Sequence, residues 1–288
     1  MGELRLSGGR GGALAQDTLS QLPTAALASE YSSIAKAYAN AWSPIIRPMA
    51  QPLFKRIDLD KAETVLDIGT GTGAMLPDIR AAANQALIVG LDRSEGMLRH
   101  AQRVGFTTAA ISDGQELCIR SQSVDVALLI FVLFHYPDPV AGLREVRRVL
   151  RKGGRAGITV WGNDPGTPGA TIWTEELNRE EASPDPRDPS IMQADAMNSL
   201  EKLESLVSSS GLEVVELWSE RFSHRFTMDH LLKMQLGCGI AARRLASLDA
   251  EARVRCTHRV TERLAELSED ELDYRPEVLF AVIRGLRV

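Results

Sequence analysis

The chain has little cysteine. Cys118, Cys238 and Cys256 are an odd number, widely spaced and without a C-x-x-C pair, which argues against both a disulfide framework and a structural zinc site. A reducing, cytoplasmic compartment fits. It also lacks a long apolar run: the longest, residues 126–134, is about half of the roughly 20 residues needed to cross a bilayer. No membrane span is expected, and the run reads as a buried strand. There is no excess of base either, since Lys and Arg number 33 against 38 Asp and Glu, for a formal charge of −5. Phosphate-binding surfaces need clustered cations to displace counterions, so nucleic acid is not an expected partner. No His and acid pair stands at ligand spacing, so no metal is expected. Internal repeats are absent. The opening stretch "MGELRLSGGRGGALAQ" has no sustained apolar segment, and Leu6 stands where a myristoylation signal needs Ser or Thr. Residues 1–28 read as a flexible tail.

What is present is an ordinary globular composition, 44% apolar and 25% charged over 288 residues, enough for one large domain. Strand-like and helix-like runs alternate from about residue 60 to 160, the α/β pattern. The expected strands are "TVLDI" (64–68), "ALIVGLD" (86–92), "TTAAIS" (107–112), "SVDVALLIF" (123–131) and "RAGITVW" (155–161). Between them "SEGMLRHAQRV" places Ser94 as a cap and Met97, Leu98, Ala101 and Val104 on one stripe. "DPVAGLREVRRVLRKGG" is a helix with Asp138 capping, Pro139 in the first turn and glycines beyond its end. After Trp161 the chain turns proline-rich around "TIWTEELNREE", which reads as a cap. A helix stopped by Gly211, a sixth strand (212–219), helices over about 228–246 and 248–268, and a final strand (277–285) complete the chain.

"VLDIGTGTGA" (65–74) carries the chemistry. Gly69, Gly71 and Ala74 fit a G-x-G-x-x-G/A dinucleotide fingerprint, whereas Asp67, Gly69, Gly71 and Gly73 fit a D-x-G-x-G-x-G loop. Asp92, about twenty residues on at a strand end, suits the ribose hydroxyls of either nucleotide cofactor. The segment from Ser112 to Arg155, "SDGQELCIRSQSVDVALLIFVLFHYPDPVAGLREVRRVLRKGGR", decides between them. It resembles the corresponding block of the class I S-adenosylmethionine-dependent methyltransferases of the small-molecule, UbiE-like type.

That resemblance implies a Rossmann-like seven-stranded sheet, mostly parallel with an antiparallel last strand, helices on both faces and helical cap insertions. The implied organisation is one domain over 29–288, with a helical arm (29–60), a cofactor-binding core (61–161), and a cap with the C-terminal strand pair (162–288). The implied cofactor is S-adenosyl-L-methionine. Asp67 would orient its ammonium, Asp92 accept the ribose hydroxyls, and Asp113, beside Gly114, accept the adenine amino hydrogen. A sulfonium and an amino acid call for carboxylates and close backbone approach, which Gly69, Gly71 and Gly73 permit. Thr70, Arg93, Met97 and Phe131 complete the expected set. "EYSSIAKAYANAW" resembles the Y-x-x-x-A-x-x-Y helix that precedes the fold in such enzymes, so Tyr31 and Tyr38, on one helical face, would close over the cofactor.

On the acceptor side, "FVLFHYPD" lacks the Asn or Asp followed by Pro-Pro and an aromatic of enzymes that modify nucleic-acid amino groups. A small acceptor is expected, apolar or aromatic, with Phe131, Phe134, His135, Trp161, Trp173, Trp218, Phe222 and Phe226 around it. Methyl transfer needs mainly positioning. If a base is used, His135 is the first candidate and His224 the second. A homodimer is compatible with these features. Two alternatives stand beside this reading: a cofactor-binding protein of the same fold with a non-methylating or binding role, and an NAD(P)-dependent oxidoreductase resting on Gly69, Gly71 and Ala74.

Overall fold

The computed structural model describes residues 23–163 and 166–285. Seven strands form one sheet in the order β3-β2-β1-β4-β5-β9-β6. They are β1 (Thr64–Ile68), β2 (Leu87–Asp92), β3 (Ala109–Ile111), β4 (Val124–Ile130), β5 (Leu150–Trp161), β6 (Leu212–Arg221) and β9 (Glu277–Gly285). β3 to β5 run parallel through β2, β1 and β4, and β9 lies antiparallel between β5 and β6. The fold is therefore the expected one, its last strand antiparallel.

Period-2 alternation distributes the apolar side chains to two layers. In β9, Val278, Phe280 and Val282 join the core on one face, and Leu279, Ala281 and Ile283 join the core on the other. Helix α2 (Ser43–Arg56) covers the first face, where Leu53 packs so closely on β5 that a Cβ on Gly157 would stand 2.9 Å from it. Helices α5 (Pro139–Val149) and α7 (Leu200–Ser209) cover the second through Leu143, Val146, Leu203 and Val207. Among the described residues no helix is long and apolar enough to cross a membrane.

Several expected boundaries move. Of the presumed tail, residues 1–22 lie outside the described residues, but 23–28 are helical, because α1 spans Pro23–Ala41 and buries Leu27 and Ala35. The cap helix is longer than expected: α6 spans Pro168–Arg179, with the Thr167 side chain accepting the Ala170 N–H. The helix expected over 228–246 is two, α8 (Met228–Gly237) and α9 (Ile240–Leu245), since Gly239 adopts φ +92° and breaks it. Helix α10 (Ala250–Ala265) packs on α6, where buried Glu176 takes Arg259 at 2.6 Å and Arg263 at 2.9 Å. A small ladder of β7 (His224–Arg225) with β8 (Asp273–Tyr274) was not foreseen; two-residue strands carry no period to read.

Candidate active site

The strand order reverses at β1, between β2 on one side and β4 on the other, and the crevice beyond the strand ends there is where open α/β sheets bind ligands. A cleft occupies that place. The loop after β1 forms its floor, turning through Gly69 at φ +74° and Gly71 at φ +55°. A Cβ on Gly69 would strike Val132 at 2.4 Å, so the loop is pressed against the end of β4. At Gly71 a Cβ would meet nothing nearer than 3.9 Å, leaving exposed backbone toward the cleft.

Two carboxylates organise this loop. Asp67 is buried and takes a hydrogen bond from the Thr70 hydroxyl at 2.7 Å; burial first, then the Asp92 charge, push it up to about 6 against that bond. Asp92 accepts the Gly71 N–H on Oδ2 and the Ser94 N–H on Oδ1, both at 2.8 Å. Burial raises it, and those N–H groups pull it back. Each carboxylate keeps lone pairs for a further donor.

Eleven of the thirteen expected cofactor positions line this cleft: Tyr31, Tyr38, Asp67, Gly69, Thr70, Gly71, Asp92, Arg93, Met97, Gly114 and Phe131. Gly73 and Asp113 do not. A Cβ on Gly73 would stand 3.1 Å from Ala101, so this glycine seats α4 (Glu95–Arg103) against the loop and does not face the cleft. The Asp113 carboxylate is ion-paired with Arg93 and accepts the Gln115 N–H at 2.9 Å, so it is engaged by its own loop and by the residue after β2. Its neighbours Ser112 and Gly114 line the cleft instead. Sequence reasoning also missed Thr24, Leu27 and Ala28, assigned to the tail, together with Ser43, Thr72 and Tyr136. Thr72 lay within the glycine loop and was the one of these with a visible signal; its hydroxyl shares a buried hydrogen bond of 3.0 Å with Ser43.

Helix α1 closes the cleft from above. Ser32 Oγ accepts the Gly96 N–H at 3.1 Å and lies 2.8 Å from the Ser94 hydroxyl, so the arm is hydrogen-bonded to the start of α4. Tyr31 and Tyr38 meet edge to face at 5.7 Å. The Tyr31 hydroxyl is 3.0 Å from Nε2 of His135, on the turn after β4. Burial, with the Arg187 and Arg243 charges, lowers His135 to about 4, so its ring is neutral at pH 7. Burial holds both tyrosines above their ordinary value, Tyr31 at about 12.

A second cavity, about 500 Å³, lies between α1, α6, α8 and α9. It shares Leu27, Tyr31, Tyr38, Ile46, Phe131 and His135 with the first cleft. Phe131 stands on this shared wall with φ +53°, its N–H held by both the carbonyl and the hydroxyl of buried Thr159. Of the expected acceptor-side aromatics, Phe131, Phe134, His135, Trp161, Trp173 and Phe226 line the cavity. Trp218 and Phe222 do not: Trp218 stacks on Phe280 at 5.0 Å under Arg56, and Phe222 packs against the same ring. Trp42 and Tyr274 take their place. His224 lies off both cavities, edge-on to Phe226 and His230. No group of three or more possible metal ligands occurs among the described residues.

Residues 66–158 match the sequence family described as a methyltransferase domain. That match falls on β1 to β5, the strands whose ends carry the cleft. Among curated proteins, the demethylmenaquinone methyltransferase of Corynebacterium kroppenstedtii is 34% identical over 125 residues, 43% of this chain and 53% of that protein. That of Streptomyces griseus is 31% identical over 125 residues, with the same coverage of 43% and 53%. The chain spans about half the length of these curated relatives. Two solved structures share the fold. A candidate methyltransferase of Bacillus halodurans C-125 has TM-score 0.53 at 18% identity, covering 82% of this chain and 98% of that one. The [4+2]-cyclase SpnF has TM-score 0.52 at 20% identity, covering 84% and 81%.

Proposed function

We propose that the chain transfers a methyl group from S-adenosylmethionine to a small apolar or aromatic acceptor, with residues 29–288 and the helical stretch before them acting as one domain. The observation that carries this is the pair of cavities with one common wall. A cofactor in the carboxylate-bearing cleft and an acceptor in the aromatic cavity would meet at Phe131, Tyr31 and His135. S-adenosylmethionine, when bound, supplies a methyl already activated by positive sulfur. The chain's task is then to hold the acceptor in line and exclude water, the chief source of acceleration in such displacements. Asp67 is suited to an ammonium, Asp92 to a pair of hydroxyls, and the open backbone at Gly71 to close approach. Neutral His135 stands where it could take a proton from an acceptor hydroxyl; His224, off both cavities, has no part in this reading.

The relatives are named for demethylmenaquinone, in keeping with an aromatic-lined cavity. Calorimetric titration with S-adenosylmethionine, S-adenosylhomocysteine and NADH tests the cofactor assignment. Micromolar binding of the first two without the third is expected; binding of NADH alone would overturn it and favour the oxidoreductase.

Asp67 gives the binding a pH signature. Its folded value, about 6, lies above the ordinary 3.8. Between those values the native chain holds a proton that the unfolded chain lacks, so this group's contribution to stability rises as pH falls through 6. An ammonium ligand requires the ionised form, so S-adenosylhomocysteine affinity should fall up to about tenfold per unit below pH 6. Titrations at pH 7, 6 and 5 should show this slope in the native protein and a flatter profile in Asp67→Asn. Equal slopes would remove Asp67 from the ammonium site.

A further inference from the structure

The acceptor cavity is walled mainly by apolar and aromatic side chains, with Glu30, Thr167, Thr174 and Gln235 among its polar lining. Arg187, Arg243 and Arg244 also line it. Two of the three are matched. Arg243 reaches Glu30 at 2.5 Å and Asp185 at 3.0 Å, and Arg187 reaches Asp185 at 2.8 Å; their side chains are only 13% and 15% exposed. These two cations and two carboxylates form a closed network that ties α1 to α9 and to the loop after α6.

Arg244 is different. Its Nε donates to the Ser183 carbonyl at 3.1 Å, and its Nη2 donates to Asn178 Oδ1 at 2.7 Å and to the Ala182 carbonyl at 3.2 Å. All three acceptors are neutral. Its Nη1 has no partner among the described residues, and no described carboxylate lies within 4 Å of it. The guanidinium is thus tethered through Nε and Nη2, with Nη1 left to donate, on a residue that lines the cavity. A cation so placed favours a carboxylate, to which the remaining Nη1 amino group can donate a charge-assisted hydrogen bond.

We infer that the acceptor is an aromatic carboxylic acid, its ring among Trp42, Phe134 and Trp161 and its carboxylate on Arg244. Two of the cavity's arginines lie within electrostatic reach of the shared wall, since the charges of Arg187 and Arg243 act on both Tyr31 and His135. An acid anchored on Arg244 keeps the rest of its ring toward Phe131. All three arginines belong to the cap, beyond the residues matched to the methyltransferase family, so nothing in that match determines this end of the acceptor. The assignment of the cavity to an acceptor rests on the methyl-transfer reading; the preference for an acid does not.

The test compares 2-naphthoate with its neutral isostere 2-naphthamide, by tryptophan fluorescence, on protein saturated with S-adenosylhomocysteine. The native protein should bind the acid at least about tenfold more tightly, a charge-assisted hydrogen bond being of that order or larger. Raising the salt concentration should narrow the ratio. Arg244→Gln should bring the ratio near one with naphthamide affinity unchanged, which also reports an intact cap. Arg244→Lys, keeping the charge, should retain most of the preference. Equal affinities in the native protein, a preference that survives Arg244→Gln, or binding of neither probe would overturn the inference. Calorimetry with S-adenosylhomocysteine on the same samples separates the two readings: its failure would sink methyl transfer, whatever the naphthoate ratio.

Discussion

Asp92→Ala should weaken S-adenosylhomocysteine binding by about a hundredfold or more while leaving the sheet folded. On the proposed cofactor site the direct loss would be two hydrogen bonds from ligand hydroxyls to a carboxylate, each worth about 1.5–3 kcal/mol. A second loss is internal. The Asp92 oxygens hold the Gly71 and Ser94 N–H groups at 2.8 Å, so the alanine also releases the glycine loop and the first turn of α4 from their common anchor. Asp92→Asn separates the two, since its one carbonyl oxygen can keep one of those N–H bonds; it should bind more tightly than the alanine and less tightly than the native protein. Circular dichroism checks the fold and calorimetry the affinity. Unchanged affinity in Asp92→Ala would remove this carboxylate from the cofactor site.

The second large effect concerns the arm. Gly96 lies in the first turn of α4, where Ala would raise helix stability by about 1 kcal/mol on propensity alone. Its surroundings reverse the sign. A Cβ there would stand 2.4 Å from the Ser32 carbonyl oxygen and 2.6 Å from the Ser32 Cα. Both are backbone atoms, so no rotamer change relieves the clash and α1 must move off α4. We expect Gly96→Ala to lose about 1–3 kcal/mol, the range for overpacking. Hydrogen exchange should accelerate across residues 31–38, and cofactor affinity should fall with Tyr31 and Tyr38 displaced. A stabilised Gly96→Ala with unaltered exchange would mean that α1 is not seated on α4 in solution.

The core of the fold was legible because its signals are local. β1 and β9 fall at the expected residues, since a short apolar run bounded by turn residues is a complete statement about a buried strand. The caps at Ser94 and Asp138 were legible for the same reason, each needing only a side-chain oxygen and an N–H three residues on. The cleft was legible in its floor, where Asp67, Gly69, Gly71 and Asp92 follow one another along the chain at fixed spacing. It was much less so in its walls. Tyr136 carries no sequence signal of its own; it lines the cleft because Gly114, 22 residues earlier, and Gly142, on the following helix, leave the slot that its ring fills. Asp113 shows the converse. Its position after β3 was read correctly, but its ion-pair partner Arg93 is the residue after β2, and this aspartate is not among the residues lining the cleft.

By itself, the sequence determined the α/β class and the glycine loop with its two strand-end carboxylates, which depend on periodicity and on residues near one another in the chain. The antiparallel last strand and the choice of cofactor came from the resemblance of the segment from Ser112 to Arg155 to a known family. Tertiary structure alone decided that Thr24, Leu27 and Ala28 belong to the cleft, that Trp218 and His224 stand away from it, and that Arg187, Arg243 and Arg244 line one aromatic cavity. Those outcomes depend on where α1, α6 and α9 dock. Docking is set by shape, burial and the pairing of charges such as Glu30 with Arg243, more than two hundred residues apart, which no local pattern encodes.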